Sequence, residues 1–383
     1  MKTIFSKILP FIAIVLMVVS CGDDELTTSE RLTNAAENYA AIVVASYDDS
    51  YEEAETLRDM INDFVDAPTS AKFDACKAQW LKARTPYGQT EIYRFYGGPI
   101  DNETDGPEGL INAWPMDEGF IDYIESDPSS GLINDADTYP EITKDVLTNL
   151  NESISEASIF TGYHAIEFLL WGQDFSTNGP GTRPWTDYLT DGNGTASNQD
   201  RRGQYLKTVA DLLLDHLNQV RNQWGSSGAF QQQFLAQSKD DILTDIFTSL
   251  GELSKGELSG ERMFVAVDSK DQENEHSCFA DNTIDDIVQN FNGIVNVYTG
   301  SYTRTDGSTV SGESYSAIAS DLDAEKADAV TNAITEARTK INAIPSPFDQ
   351  AILNNGPTVI EAVTALEDLS DRFADVEVVL KAN

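Results

Sequence analysis

The chain has 383 residues, with 25 Lys and Arg against 64 Asp and Glu, for a formal net charge of −39. That balance excludes a nucleic-acid binder, which needs a basic surface, and attachment to an anionic bilayer through basic residues. At 40% hydrophobic and 23% charged residues the composition is globular rather than that of a disordered acidic tail. The length suggests about two domains of ~150 residues, and three Cys cannot make a disulfide scaffold.

The N-terminus reads as a targeting segment. Lys2 and Lys7 precede an almost wholly apolar run, Ile8 to Val19, too short for a spanning helix. Val18-Val19-Ser20-Cys21 resembles a bacterial lipobox. Residues 1–20 are thus expected to be a lipoprotein signal peptide, Cys21 the lipidated first residue of the mature chain, and residues 21–34 a tether. An ordinary secretory signal with an incidental Cys is the alternative. No second long apolar run follows, so the expected body is soluble and held to the membrane only by lipid. Cys76 and Cys278 lie far apart in sequence, without geometric support for pairing, and read as two buried thiols.

In chain order, residues 35–64 read as one or two helices. A helix over 70–95 carries Phe73, Cys76, Trp80 and Ala83 at helical spacing, with a break expected at Pro86 and Gly88. Residues 97–115 form a loop. Residues 141–171 return to helix, ended by Gly172. Residues 173–203 form the longest irregular stretch, and loops of that length tend to be functional or linkers. Residues 204–224 are strongly amphipathic, with Leu206, Val209, Leu213, Leu217 and Val220 on one face. Further helices fall near 228–250, 257–268, 282–298, 321–343 and 358–381. Strand signals are scarce, with Val295–Tyr298 the nearest candidate. Gly251-Glu-Leu-Ser recurs as Gly256-Glu-Leu-Ser, too short for a solenoid. The expected fold is all-α: two helical-bundle domains packed together, residues 35–200 and 201–383.

Phosphate loops, dinucleotide fingerprints, nucleophile elbows, Cys-x-x-Cys pairs and His-Glu-x-x-His are all absent. Three His cap any imidazole site at three ligands: His164, His216 and His276. His164 and Glu167 sit in an apolar run, Phe160 to Trp171, where each needs a partner. Their i, i+3 spacing puts both on one helix face, able to share a metal ion or simply to bond each other. Spacing alone favours the plain hydrogen bond. Residues 271–282 pack four acids with His276 and Cys278, which reads as a solvated loop ending in a helix cap at Asp281 or Asn282. Arg84, Gln89, Glu91 and Arg94 surround the expected helix break.

Gly162-Tyr163-His164-Ala165-Ile166-Glu167 matches the Gly-x-His-x-x-Glu signature of the imelysin-like family. The resemblance extends in order through Trp80…Ala83-Arg84…Pro86-Tyr87…Thr90-Glu91, Trp114-Pro115-Met116-Asp117, Gly256 to Met263, and Glu275 to Thr283. It implies two helical bundles with a shared site near their interface, a place in the bacterial cell envelope on the periplasmic or outer-membrane surface, and a link to iron uptake and its transporter. By this resemblance His164, Glu167 and Glu91 are the expected metal ligands, with His276, Asp281, Arg84 and Arg262 lining the site. Iron is the first expectation, then zinc or manganese, with a haem or siderophore chelate as a further form. The family also carries a metallopeptidase label. One His-x-x-Glu supplies too few ligands for that chemistry, so a binding protein is the more natural reading. A surface interaction protein with a structural His–Glu pair is the remaining alternative.

Overall fold

The computed structural model describes residues 26–383; the expected signal peptide and lipidation site at Cys21 lie outside them. The first helix, α1 (Thr28–Asp66), opens on a capping box between Thr27 and Glu30. Next, α2 (Ser70–Thr90) runs through Pro86 and tightens into a 3-10 turn at Glu91–Tyr93. The break expected at Pro86 and Gly88 does not occur. Tertiary packing outweighs the lost proline donor, because α10 (Thr283–Thr299) lies against this turn. A Cβ on Gly88 would come within 2.8 Å of Gln289 Cβ, and one on Gly293 within 2.6 Å of the Gln89 carbonyl. The two glycines let these helices approach closely.

The helix expected over 141–171 is two short ones, α4 (Lys144–Leu150) and α5 (Gly162–Trp171), following a single turn, α3 (Glu108–Ile111). Side chains of the intervening Asn and Ser take the backbone donors that a helix would use. Asn151 accepts from the Phe160 amide at 2.8 Å, and Ser158 from those of Ile154 and Ser155 at 3.2 and 3.1 Å. The next helices are α6 (Gln199–Trp224), α7 (Ala229–Leu235) and α8 (Lys239–Glu252). The last continues into a π-helix, Leu253–Phe264, and then α9 (Val265–Ser269). The Gly-Glu-Leu-Ser repeat has a period of five, which matches i→i+5 bonding and buries Leu253 with Leu258 and Ser254 with Ser259.

After α10 comes a small antiparallel hairpin, β1 (Ser301–Thr303) and β2 (Thr309–Ser311), with Tyr302 opposite Val310. The strand signal at Val295–Tyr298 lies inside α10, just ahead of it. The chain ends with α11 (Tyr315–Leu322), α12 (Ala324–Ile341), α13 (Phe348–Asn354) and α14 (Gly356–Lys381). The fold is all-α apart from the hairpin. No described helix is long and apolar enough to cross a membrane.

Two hydrophobic cores form, and they do not follow a division of the chain near residue 200. Leu32–Tyr47 of α1 and Val220 and Trp224 of α6 join a core built on α8 to α14. Ala54–Phe64 of α1 and Tyr205–Leu217 of α6 join a second core with α2 and α5. The two long helices thus tie both halves together. The long loops are pinned by a buried ion network. Asp122 accepts from Arg183 at 2.7 Å and from Arg202 at 2.6 and 2.9 Å, and Arg202 also holds the Asp187 carbonyl. Cys76 and Cys278 are free and buried, as expected.

Candidate functional site

The site begins at α5, every residue of which is buried. Gly162 starts it with φ +81°, and a Cβ there would fall 2.3 Å from the Ile111 carbonyl, so glycine is required. Trp80 of α2 donates to the Tyr163 carbonyl at 3.0 Å, and Tyr205 of α6 to the Phe160 carbonyl at 2.8 Å. These bonds fix the helix that carries His164 and Glu167.

His164 Nδ1 lies 2.8 Å from Glu167 Oε2, as the i, i+3 spacing predicts. Its Nε2 lies 3.1 Å from the Nε2 of His276, which arrives from the loop before α10. His276 Nδ1 lies 3.0 Å from Asp286 Oδ2. Arg84 of α2 closes on Asp286 from the far side, at 3.1 and 3.0 Å. Glu167 Oε1 accepts from the Ala280 amide at 2.8 Å. The Trp114 ring lies edge-on to both imidazoles. The result is a buried line, Glu167–His164–His276–Asp286–Arg84, drawn from three helices and one loop.

The charges along this line decide the protons. Burial would raise Asp286, but Arg84 and His276 hold it far below the usual carboxylate range, so it is ionised. Burial lowers His276 to about 4, helped by the Arg262 charge and opposed by Asp286, so this ring is neutral at pH 7. Burial and His276 also push His164 well below its ordinary value. Burial lifts Glu167 well above its own, against the Ala280 amide. Ionised Asp286 therefore accepts from His276 Nδ1–H, which leaves His276 Nε2 as an acceptor. His164 Nε2–H donates to it. His164 Nδ1 must then accept, so Glu167 carries the last proton.

Of the expected site residues, His164, Glu167 and His276 come together, with Arg84 one step away through Asp286. Glu91 does not join them. It accepts from Arg262 at 2.6 Å and Arg94 at 3.0 Å, and despite burial these guanidiniums hold it down to about 2. Arg262 also holds Asn290 and Glu257. Glu91 is thus the anchor of an ion cluster, and Asn112 links that cluster to Arg84. Asp281 sits at φ +55° beside the line, with Oδ1 unpartnered. Asn282 stands at the N-cap of α10, but its side chain donates to Asp286 instead of capping. Asp286 and Trp114 went unread as site residues. Asp286 looks like an ordinary first-turn acid, and only its burial marks it.

A cleft of about 320 Å³ opens on His276, lined in part by Trp114, Asn112, Arg94 and Arg262. Among the described residues, no three His, Cys, Asp or Glu side chains are gathered closely enough to hold a metal ion by themselves. The pair nevertheless suits a metal in one respect. Ligating imidazoles turn one nitrogen to the ion and give the other N–H to a carboxylate. Both Nε2 atoms converge here, and each Nδ1 faces a carboxylate.

The chain is 24% identical over 371 residues to iron-regulated protein A of Synechococcus elongatus, covering 92% of this chain and 86% of that one. Its fold matches a crystal structure described as a precursor of an iron-regulated protein A from Parabacteroides distasonis, with a TM-score of 0.74, 17% identity, and 94% and 97% of the two chains covered. It also matches an imelysin-like protein from Psychrobacter arcticum, with a TM-score of 0.61, 15% identity, and 94% and 95% covered. The Imelysin model, of the peptidase M75 family, matches residues 43–374. With most of its length inside that match, the chain belongs to the imelysin family.

Proposed function

We propose that this chain is an iron-related binding protein of the bacterial cell envelope, holding a metal ion or an iron chelate through His164 and His276. The observation that carries this reading is the pair of buried Nε2 atoms 3.1 Å apart, each ring backed by a carboxylate at Nδ1. Glu167 and Asp286 are then orienting groups, and Glu91 is not a ligand. The protein offers two nitrogens, so water or a chelate's own atoms complete the coordination. Imidazole with oxygen donors suits iron, zinc or manganese, and the name of the Synechococcus relative favours iron. Cys21 would carry the lipid anchor, and the bound metal would pass to an uptake transporter.

Binding requires both Nε2 atoms bare. His164 must then carry its proton on Nδ1, which needs ionised Glu167. One proton leaves the line for each ion taken up.

The test is metal-dependent melting of residues 22–383 beside His164→Ala and His276→Ala. A ligand at 100 times its Kd adds about 2.7 kcal/mol. Iron, zinc or manganese should raise the Tm of the parent and of neither variant, with release of about one proton per ion. If no metal or ferric chelate shifts the parent, the pair is structural and the proposal fails. Chelator-sensitive cleavage of peptides by the loaded protein would support the metallopeptidase reading instead.

A further inference from the structure

A ligand reaches the buried imidazoles through the cleft that opens on His276. Trp114 stands in its wall, with ring centroids 4.9 Å from His164 and 6.3 Å from His276. Four glutamates line this cleft, Glu108, Glu152, Glu257 and Glu261, against two arginines, Arg94 and Arg262. Both guanidiniums are already taken. Arg262 pairs with Glu91 at 2.6 Å and with Glu257 at 2.9 Å. Arg94 pairs with Glu91 at 3.0 Å and with Glu108 at 3.3 Å. Glu152 and Glu261 are exposed, and neither guanidinium pairs with them.

With Glu91 behind the wall, five carboxylates face two guanidiniums. A cleft lined by an excess of one charge focuses its field and concentrates ligands of the opposite sign. Two donors in the wall, Arg94 Nε and Trp114 Nε1, are buried without an acceptor. Such donors are costly, and the oxygens of a ligand relieve them. Water carried in by a metal ion supplies those oxygens. The carboxylates of an anionic chelate offer them too, but they enter against an excess of like charge. Size points the same way. The cleft holds about 320 Å³, near the low end of the ~300–1,000 Å³ typical of ligand pockets. An ion with about six waters, at ~30 Å³ each, fills roughly 200 Å³.

We infer that this cleft selects its ligand by charge, admitting the metal as a hydrated cation and turning away anionic chelates such as ferric citrate or haem. The inference rests on the reading of His164 and His276 as metal ligands. Glu152 and Glu261 are the specificity-determining residues, because their charge is the part that no arginine offsets. They act on the approaching ion through the field and do not ligate it. Arg94 Nε and Trp114 Nε1 then hold the waters that remain on the ion once the imidazoles have taken it.

The test is anaerobic equilibrium dialysis of the purified chain against Fe²⁺ and, separately, against ferric citrate and haemin, all near pH 7. Glu152→Gln with Glu261→Gln should weaken Fe²⁺ binding about tenfold at ~10 mM salt. The difference should largely vanish at ~1 M salt, where charges are screened within about 3 Å. Glu325→Gln with Glu367→Gln removes the same charge from exposed positions outside the cleft, and should stay within about twofold of the parent. Ferric citrate and haemin should not bind the parent saturably. Should the double variant of the cleft fail to fold, Glu261→Gln alone, at an exposed position, gives a smaller loss with the same salt dependence. Saturable binding of either anionic chelate overturns the inference. So does Fe²⁺ binding that the cleft variant and the control variant weaken equally; the imidazole reading then survives. If the parent and His164→Ala bind Fe²⁺ alike, or neither binds it, the imidazole reading fails and this inference falls with it.

Discussion

Replacing Arg262 by Met tests how far the ion cluster beneath the site holds the two halves of the chain together. Arg262 lies in the π-helix and bonds Glu91, 171 positions earlier, at 2.6 Å. Glu91 is wholly buried and held at about 2 instead of its ordinary 4.5. At ~1.36 kcal/mol per pH unit, that difference, to which Arg94 and Arg84 contribute beside Arg262 against burial, is worth about 3 kcal/mol in all. Breaking one partner of a buried ion pair costs about 3–5 kcal/mol by a separate route, which is of the same order. A lowered folded-state value gives stability that is present above pH 4.5 and lost as pH falls toward 2. Urea unfolding at pH 7 should therefore show Arg262→Met less stable by about 3 kcal/mol. At pH 3 the gap should narrow to about 1 kcal/mol. Adding Glu91→Gln to the variant should restore part of the loss, because the buried carboxylate then left to Arg94 alone is gone. A cost below about 1 kcal/mol at pH 7, or a gap constant between pH 5 and 3, would refute this account.

Two further outcomes follow from the geometry. Gly162→Ala puts a Cβ 2.3 Å from the Ile111 carbonyl at a φ of +81°, so it should cost at least about 2 kcal/mol in urea unfolding. Gly192→Ala, at φ +89° with nothing within 4 Å, should cost only about 1 kcal/mol; equal costs would remove the clash from the argument. Burial pushes Cys76 up to about 12 and Cys278 well above its ordinary value, so neither presents a thiolate at pH 8. In residues 22–383, thiol reagent should label nothing in the folded state and both Cys in urea.

The helical class, the amphipathic face of α6 and the His164–Glu167 pair were legible without a structure, because each is a local matter of spacing along one helix. The same logic failed where side chains compete with the backbone, as in the Asn- and Ser-rich stretch that splits α4 from α5. It failed again at Pro86, where the close approach of α10 keeps α2 intact. Motif resemblance placed Arg84, Glu91, Arg262 and His276 near one another, but not what each would bond. Glu91 fell to Arg262 and Arg94, while Asp286 took His276 and Arg84. Those partners lie on different elements, and spacing along the chain carries no record of which buried charge meets which. The chain's own order of residues determined its helices and the polar pair in α5. Only packing those helices decided that His164 meets His276, because a buried imidazole takes whichever partner the surrounding helices bring within reach.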